Sequence, residues 1–286
     1  MTSRDPSRGG RLETDGGITV SDRYGTEWQR PTVFLNRYVK YATYLAFVAF
    51  LVWNVWLVWV PIERVLAGAE SAYLLVSQMF PPNFAGENAT RIWEGMVETV
   101  AMAFVATAVG IVISIPIAVM AAENLVPRPV YYVGRSIVSV SRAFHELIVG
   151  IIVVVGFGFG ALAGVIALVF ATPGFLAKLL AEDLEDIDRT QVEGVRATGA
   201  SPLQVLSFGV LPQVMPRLIG LSIYRWDINV RAATILGVVG AGGIGNVLIR
   251  SFDRYDYAFS MAIIISIIAV VLVGEAVSAY ARNRVQ

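Results

Sequence analysis

The residues best placed to do chemistry in this chain are charged groups set inside otherwise apolar runs. Arg135, Ser139, Arg142 and Glu146 recur at intervals of four, three and four. On a single helix that spacing puts them on one face and lets Arg142 pair with Glu146. Further on, Tyr224-Arg-Trp-Asp-Ile-Asn-Val-Arg231 places Arg225 four residues before Asn229 and Asp227 four before Arg231. Two guanidinium groups and an amide near the end of an apolar segment suit an oxyanion, because guanidinium offers a planar fork of donors to phosphate-like groups. A purely structural role fits the same residues: Arg142 and Glu146 bracing two helices, Asp227 and Arg231 fixing the outer end of one. In either role the groups must face a bundle interior or a wet pathway, since charge in contact with lipid is costly.

Other chemistries are excluded or weak. The chain has no cysteine, so disulfides, thiolate metal sites and cysteine nucleophiles are absent. Its one histidine, His145, stands near no cluster that would bind zinc and reads as a packed or hydrogen-bonded side chain. No G-x-x-x-x-G-K-[ST] run occurs, so nucleotide hydrolysis must come from another chain. Gly237-Val-Val-Gly-Ala-Gly-Gly-Ile-Gly245 lacks the strand context of a dinucleotide loop and fits close helix packing or a hinge. A formal net charge of zero argues against nucleic acid as a partner. No combination of nucleophile and base suggests an enzyme.

The elements that must carry these residues are membrane helices. The chain of 286 residues is 56% hydrophobic and 15% charged, against about 25% charged in ordinary soluble domains. Residues 1–32 are polar, aperiodic and expected to be a disordered cytoplasmic tail. Tyr41 to Val60 is an uncharged run long enough to cross a bilayer core, with Arg30, Arg37 and Lys40 before it and Glu63 and Arg64 after it. The positive-inside rule puts the N-terminus in the cytoplasm, and Trp53, Trp56 and Trp59 then approach the outer interface. The first span and an external segment occupy 33–95; the rest of the bundle occupies 96–286.

Further spans are expected at Thr99–Ala122, bent by Pro116, at about 133–155 and at about 160–180, the last two hinged at Gly156-Phe-Gly-Phe-Gly160. The fifth covers roughly 207–229, interrupted by Pro216 and Arg217, and the last runs from Tyr257 to about Ala279. Residues 232–249 are uncharged but glycine-rich and read as a kinked or re-entrant segment. Counting them as a partial insertion gives six spans and keeps Arg282 and Arg284 inside.

A polar island separates the fourth and fifth spans, within a cytoplasmic loop over 182–206. Asp188-Arg-Thr-Gln191 reads as a capping box, opening a helix that should pass Glu193 and Arg196 and stop at Gly199. Ser201-Pro202-Leu-Gln204 restarts a helix with Ser at the N-cap, Pro at N1 and Gln at N3.

These residues resemble the cytoplasmic "EAA…G…LP" loop of permease subunits of ATP-driven (ABC-type) importers, with Glu193, Gly199 and Leu211-Pro212 at its fixed points. Gly194 stands where the generic loop has Ala. The runs 196–201, 209–216, 224–234 and 237–245 are similar to phosphonate-uptake permeases of the PhnE type, and the likeness covers roughly residues 90 to 282. It implies an all-α, MetI-like core of five spans with one extra N-terminal helix. Glu193, Gly194, Arg196, Ala197, Gly199, Ala200, Ser201, Pro202, Leu211 and Pro212 would then couple to a separate ATPase dimer that binds ATP and Mg. Also implied are an external phosphonate-binding protein, a second copy of this chain, and a pathway or gate at Arg142, Glu146, Arg225, Asn229 and Arg231. Similar permeases carry Arg-Ala-x-Pro-Glu where this chain has Arg142-Ala-Phe-His-Glu146, which leaves the inherited kink open. A permease for methionine and a secondary anion transporter are the alternatives.

Overall fold

The structure, a computed structural model, describes residues 20–21, 27–28, 37–57 and 61–285. It separates into two units, Met1–Ala69 and Glu70–Gln286. In the first, β1 (Val20–Ser21) pairs antiparallel with β2 (Glu27–Trp28), and α1 spans Arg37–Leu57. The rest of the tail expected over 1–32, and Trp59 and Val60, lie outside the described residues. Then come α2 (Ile62–Gln78), which crosses the division between the units, α3 (Glu87–Ala121), α4 (Arg128–Ala143), α5 (Glu146–Phe157) and α6 (Ala161–Glu185). The short α7 (Arg189–Ala197) and α8 (Pro202–Val205) precede a wide π turn over Leu206–Val210, and α9 (Leu211–Val238), α10 (Gly243–Asp253) and α11 (Tyr257–Val285) complete the chain. Five helical stretches are long and apolar enough to cross a membrane, or six when the bent pair α4 and α5 counts as one.

Small residues decide how the bundle closes. Along α3 the buried positions include Ala103, Ala106, Gly110, Ser114, Ala118 and Ala121, and the buried positions of α6, which packs against it, include Ala163, Ala167, Ala171 and Ala177. Such stripes let two helix backbones approach closely, which matters where lipid supplies no hydrophobic drive between helices. At Gly110 a β-carbon would lie 2.5 Å from Cγ2 of Thr172. Two apolar clusters stack along the bundle. One, with Ala118, Leu176, Leu180, Leu184 and Val214, sits at the α7–α8 end; the other, with Met102, Ala106, Leu168, Ala233 and Leu236, lies further along.

Several expected boundaries move. The third span is not one helix over 133–155: α4 ends at Ala143, α5 starts at Glu146, and their axes differ by 86°. Phe144 and His145 are extended, and His145 Nδ1 accepts from the Leu147 amide at 3.2 Å, so the imidazole caps α5. The kink left open by the missing proline is therefore present, held by a side-chain cap in place of a ring. Residues 232–249 divide between two helices at a glycine turn, as a kinked or re-entrant segment would. α9 continues to Val238 through Pro216 and Arg217, the chain turns at Gly240 and Gly242, both with positive φ, and α10 begins at Gly243. A β-carbon on Gly237 would lie 2.7 Å from Cα of Gly245, so close packing explains two of these glycines.

Candidate functional site: a capped polar loop and a buried polar layer

The polar loop forms as its residues dictate. Asp188 caps α7, accepting from the Thr190 amide at 2.9 Å. After α7, Gly199 takes φ +80°, a region costly for any residue with a β-carbon. Ser201 and Gln204 then make a reciprocal capping box at the start of α8, with the Ser201 amide 2.8 Å from Gln204 Oε1. Glu193, Gly194, Arg196, Ala197, Gly199, Ser201, Pro202, Leu211 and Pro212 are exposed, and Ala200 is half-buried. Added β-carbons at Gly194 and Gly199 would meet nothing within 4 Å.

The loop is nonetheless anchored to the bundle. Gln213 of α9 accepts from the Asp188 amide at 2.9 Å and donates to the Gly209 carbonyl at 2.6 Å. The Leu211 amide reaches back to the Leu206 carbonyl, the wide turn that precedes Pro212, which has no amide hydrogen to give. Glu185, at the end of α6, accepts from the Glu123 amide at 2.8 Å and from Arg135 at 2.9 Å, while Arg217 pairs with Asp183 at 3.5 Å. Leu203 and Phe208 are 74% and 71% exposed beside the loop. Gln213, Glu185, Leu203 and Phe208 were not among the site residues expected from the sequence. Of these, only the apolar pair gave a signal, since it interrupts a polar stretch.

The second constellation lies mid-helix, not at the end of a span, because α9 runs on to Val238. Arg225 and Asp227 are each only 5% exposed, and Asn229 is fully buried. Asn229 Nδ2 donates to Thr107 Oγ1 of α3 at 2.8 Å, and Arg225 Nε donates to Thr172 Oγ1 of α6 at 3.3 Å. Asp227 holds Arg231 at 2.6 Å, as the spacing of four suggested. Three helices therefore assemble one polar layer. Thr107 and Thr172 gave no sequence signal, being single hydroxyls in apolar runs. The layer is incompletely satisfied: Arg225 Nη2, Asn229 Oδ1 and Trp226 Nε1 are buried without a hydrogen-bond partner. Each such atom costs about 1–3 kcal/mol if nothing meets it.

The predicted pair of Arg142 and Glu146 does not form as an i,i+4 contact on one helix, because the break at Phe144-His145 places them on different helices. Both instead line a cleft of about 380 Å3 with His145, Phe175 and Lys178. Arg142 and Lys178 also border a neighbouring cleft of about 400 Å3 with Arg135 and Ser139. The Arg225 guanidinium carbon lies 5.9 Å from the Phe175 ring centre, so the buried layer adjoins the first cleft. Among the described residues no group of three or more histidine, cysteine or carboxylate side chains could hold a metal.

A bundle of spanning helices with a buried polar layer and a capped loop at one end has the build of a membrane transport subunit. Residues 114–286 match the family of binding-protein-dependent transport system inner membrane components, and the chain belongs to that family. It is therefore a multi-pass inner-membrane component of a transport system. It is 42% identical over 221 residues to the phosphite transport system permease protein PtxC of Stutzerimonas stutzeri, covering 77% of this chain and 79% of that one. To the phosphate-import permease protein PhnE of Mycolicibacterium smegmatis it is 41% identical over 211 residues, 73% of this chain but only 40% of the relative. A chain of the MetNI methionine ABC transporter, solved in inward-facing conformations, superposes with a TM-score of 0.61 over 71% of this chain and 99% of that one, at 24% identity, and shares its fold.

Proposed function

We propose that this chain is the permease of an ATP-driven importer for small phosphorus oxyanions, the phosphonate, phosphite and phosphate class. The observation that carries this reading is Arg225, a guanidinium buried mid-helix in no ion pair among the described residues, with Nη2 unpartnered beside Asn229. A buried cation whose acidic neighbour Glu146 stays beyond ion-pair distance is expensive unless an anion visits it. The relatives named for phosphite and phosphate support the substrate class. The cleft bearing Arg142, Glu146 and Lys178 adjoins the layer at Phe175.

The N- and C-termini and the polar loop face the cytoplasm in this account. The exposed α7–turn–α8 element docks on a separate ATPase dimer that holds ATP and Mg, and an external binding protein delivers the anion to the opposite side. One such loop per chain calls for a second copy, with the pathway along the two-fold axis. ATP-driven closure of the ATPase pair pushes on α7 and α8, and the anchor at Gln213 passes the motion to α9, while Glu185 ties the end of α6 to α4. Copurification tests the arrangement: a tightly bound ATPase and ATP-dependent uptake are expected. Anion transport by the lone chain would contradict it and favour a secondary transporter.

A further inference from the structure

The helix α2 has no role in the importer proposed above, yet its pattern is two-sided. Ile62, Val65, Leu66, Ala69, Tyr73 and Val76 recur at three- and four-residue intervals on one face, Glu63, Arg64, Glu70, Ser71 and Gln78 lie off it, and of the large apolar residues only Leu74 and Leu75 stand outside that face. Every residue of the helix is exposed, including Leu66 at 64% and Tyr73 at 73%. At 17 residues it is about 25 Å long, too short and too charged to cross a bilayer core of about 30 Å.

The chain fixes the level at which this helix must lie. Leu57 of the spanning helix α1 is five residues before Ile62, a tether of at most about 18 Å. At its other end, Met79 is buried and the Asn83 amide donates to the Ala258 carbonyl at the start of α11. The same short tether therefore joins Gln78 to the end of a second spanning helix. Nothing between α1 and α3 crosses the membrane, so both anchors lie at one membrane face. A helix held at both ends at that level meets the boundary between headgroups and acyl chains along its length.

We infer that α2 is an interfacial helix whose Ile62–Val65–Leu66–Ala69–Tyr73–Val76 face sits in lipid, in the outer leaflet under the orientation proposed above. Its polar face carries Glu63 and Glu70 against Arg64 alone, so attachment rests on apolar burial and is insensitive to salt. Tyr73 supplies the amphipathic ring favoured at that depth.

Because the chain has no cysteine, single-cysteine variants give clean probes. Val65→Cys, Tyr73→Cys, Glu63→Cys and Glu70→Cys are each labelled with a fluorophore in detergent, and the full-length protein is reconstituted into vesicles containing nitroxide-bearing lipid. Strong quenching at 65 and 73, unchanged in high salt, with little at 63 and 70, is the expected result. Equal quenching on both faces would overturn the proposal. So would unquenched probes at 65 and 73 together with disulfide cross-linking of unlabelled Val65→Cys between copies, which would make the face a protein interface. A membrane-impermeant maleimide that labels Glu70→Cys only from the cytoplasmic side would instead overturn the orientation and leave the lipid seat standing.

Discussion

The polar loop and the buried layer are opposite solutions to the same problem of placing polar groups in a membrane protein. Around α7 and α8 the side-chain caps are complete: Asp188, Ser201 and Gln204 satisfy helix ends, and none of the residues of α7 is buried. In the layer, Arg225 and Asn229 are sealed between α3, α6 and α9 yet leave donor and acceptor atoms unused. A region satisfied within itself is rigid and free to be grasped from outside. A region left unsatisfied inside a bundle is suited to a transient polar guest, since a fully paired network would give that guest nothing to bind. Under the proposed function, the first would take the force and the second the cargo.

Two large losses of uptake are expected from breaking this contrast, the first at Arg225. Arg225→Leu removes the unpartnered guanidinium and should lower ATP-driven uptake by about tenfold or more, the equivalent of one hydrogen bond to a charged group. Arg225→Lys should recover little, because an ammonium lacks the planar fork. Uptake assays in vesicles with matched protein levels check both, and normal uptake by the leucine variant would make the layer merely structural. Next comes Gly199→Val. With φ +80° and no neighbour within 4 Å of an added β-carbon, the strain falls on the turn itself, about 1–2 kcal/mol. Uptake should be abolished while the protein remains folded in the membrane, as read by its level there and its elution in detergent.

Smaller effects sharpen the same division. Asp188→Ala removes the cap of α7 and should destabilise the loop by about 1 kcal/mol, seen as faster proteolysis between α6 and α9 with little change in global unfolding. Gly194→Ala places a methyl group on an open helix position and should stabilise α7 by up to about 1 kcal/mol. Retained uptake in that variant is expected, because the generic importer loop carries Ala there. Slower proteolysis of the loop would register the gain.

The loop was legible in the sequence because caps are local: Asp188 with Thr190, Gly199, and Ser201 with Gln204 all act within three residues. The layer was half legible. The spacing of Asp227 and Arg231 gave their pair, but Asn229 meets Thr107 across 122 positions, and no periodicity within α9 can point to a threonine on α3. Its depth was misjudged because the glycines after 236 looked like the start of a separate segment, whereas α9 carries on to Val238. Arg142 and Glu146 show the converse failure. Their interval of four pairs them only if the helix is continuous, and a cap made by His145, not a proline, ends it. A histidine cap is weaker as a sequence signal than a proline, although the backbone outcome is the same.

What crosses the membrane and what drives it can be measured together. The direct measurement is ATP-dependent uptake by vesicles holding this chain, its ATPase and its external binding protein, with an alkylphosphonate, phosphite, phosphate and methionine offered in turn. Uptake of one or more of the phosphorus oxyanions, none of methionine, and collapse of that uptake in Arg225→Lys with the ATPase still bound is the predicted result. Uptake of methionine, or anion uptake unchanged by the loss of the Arg225 guanidinium, would contradict it.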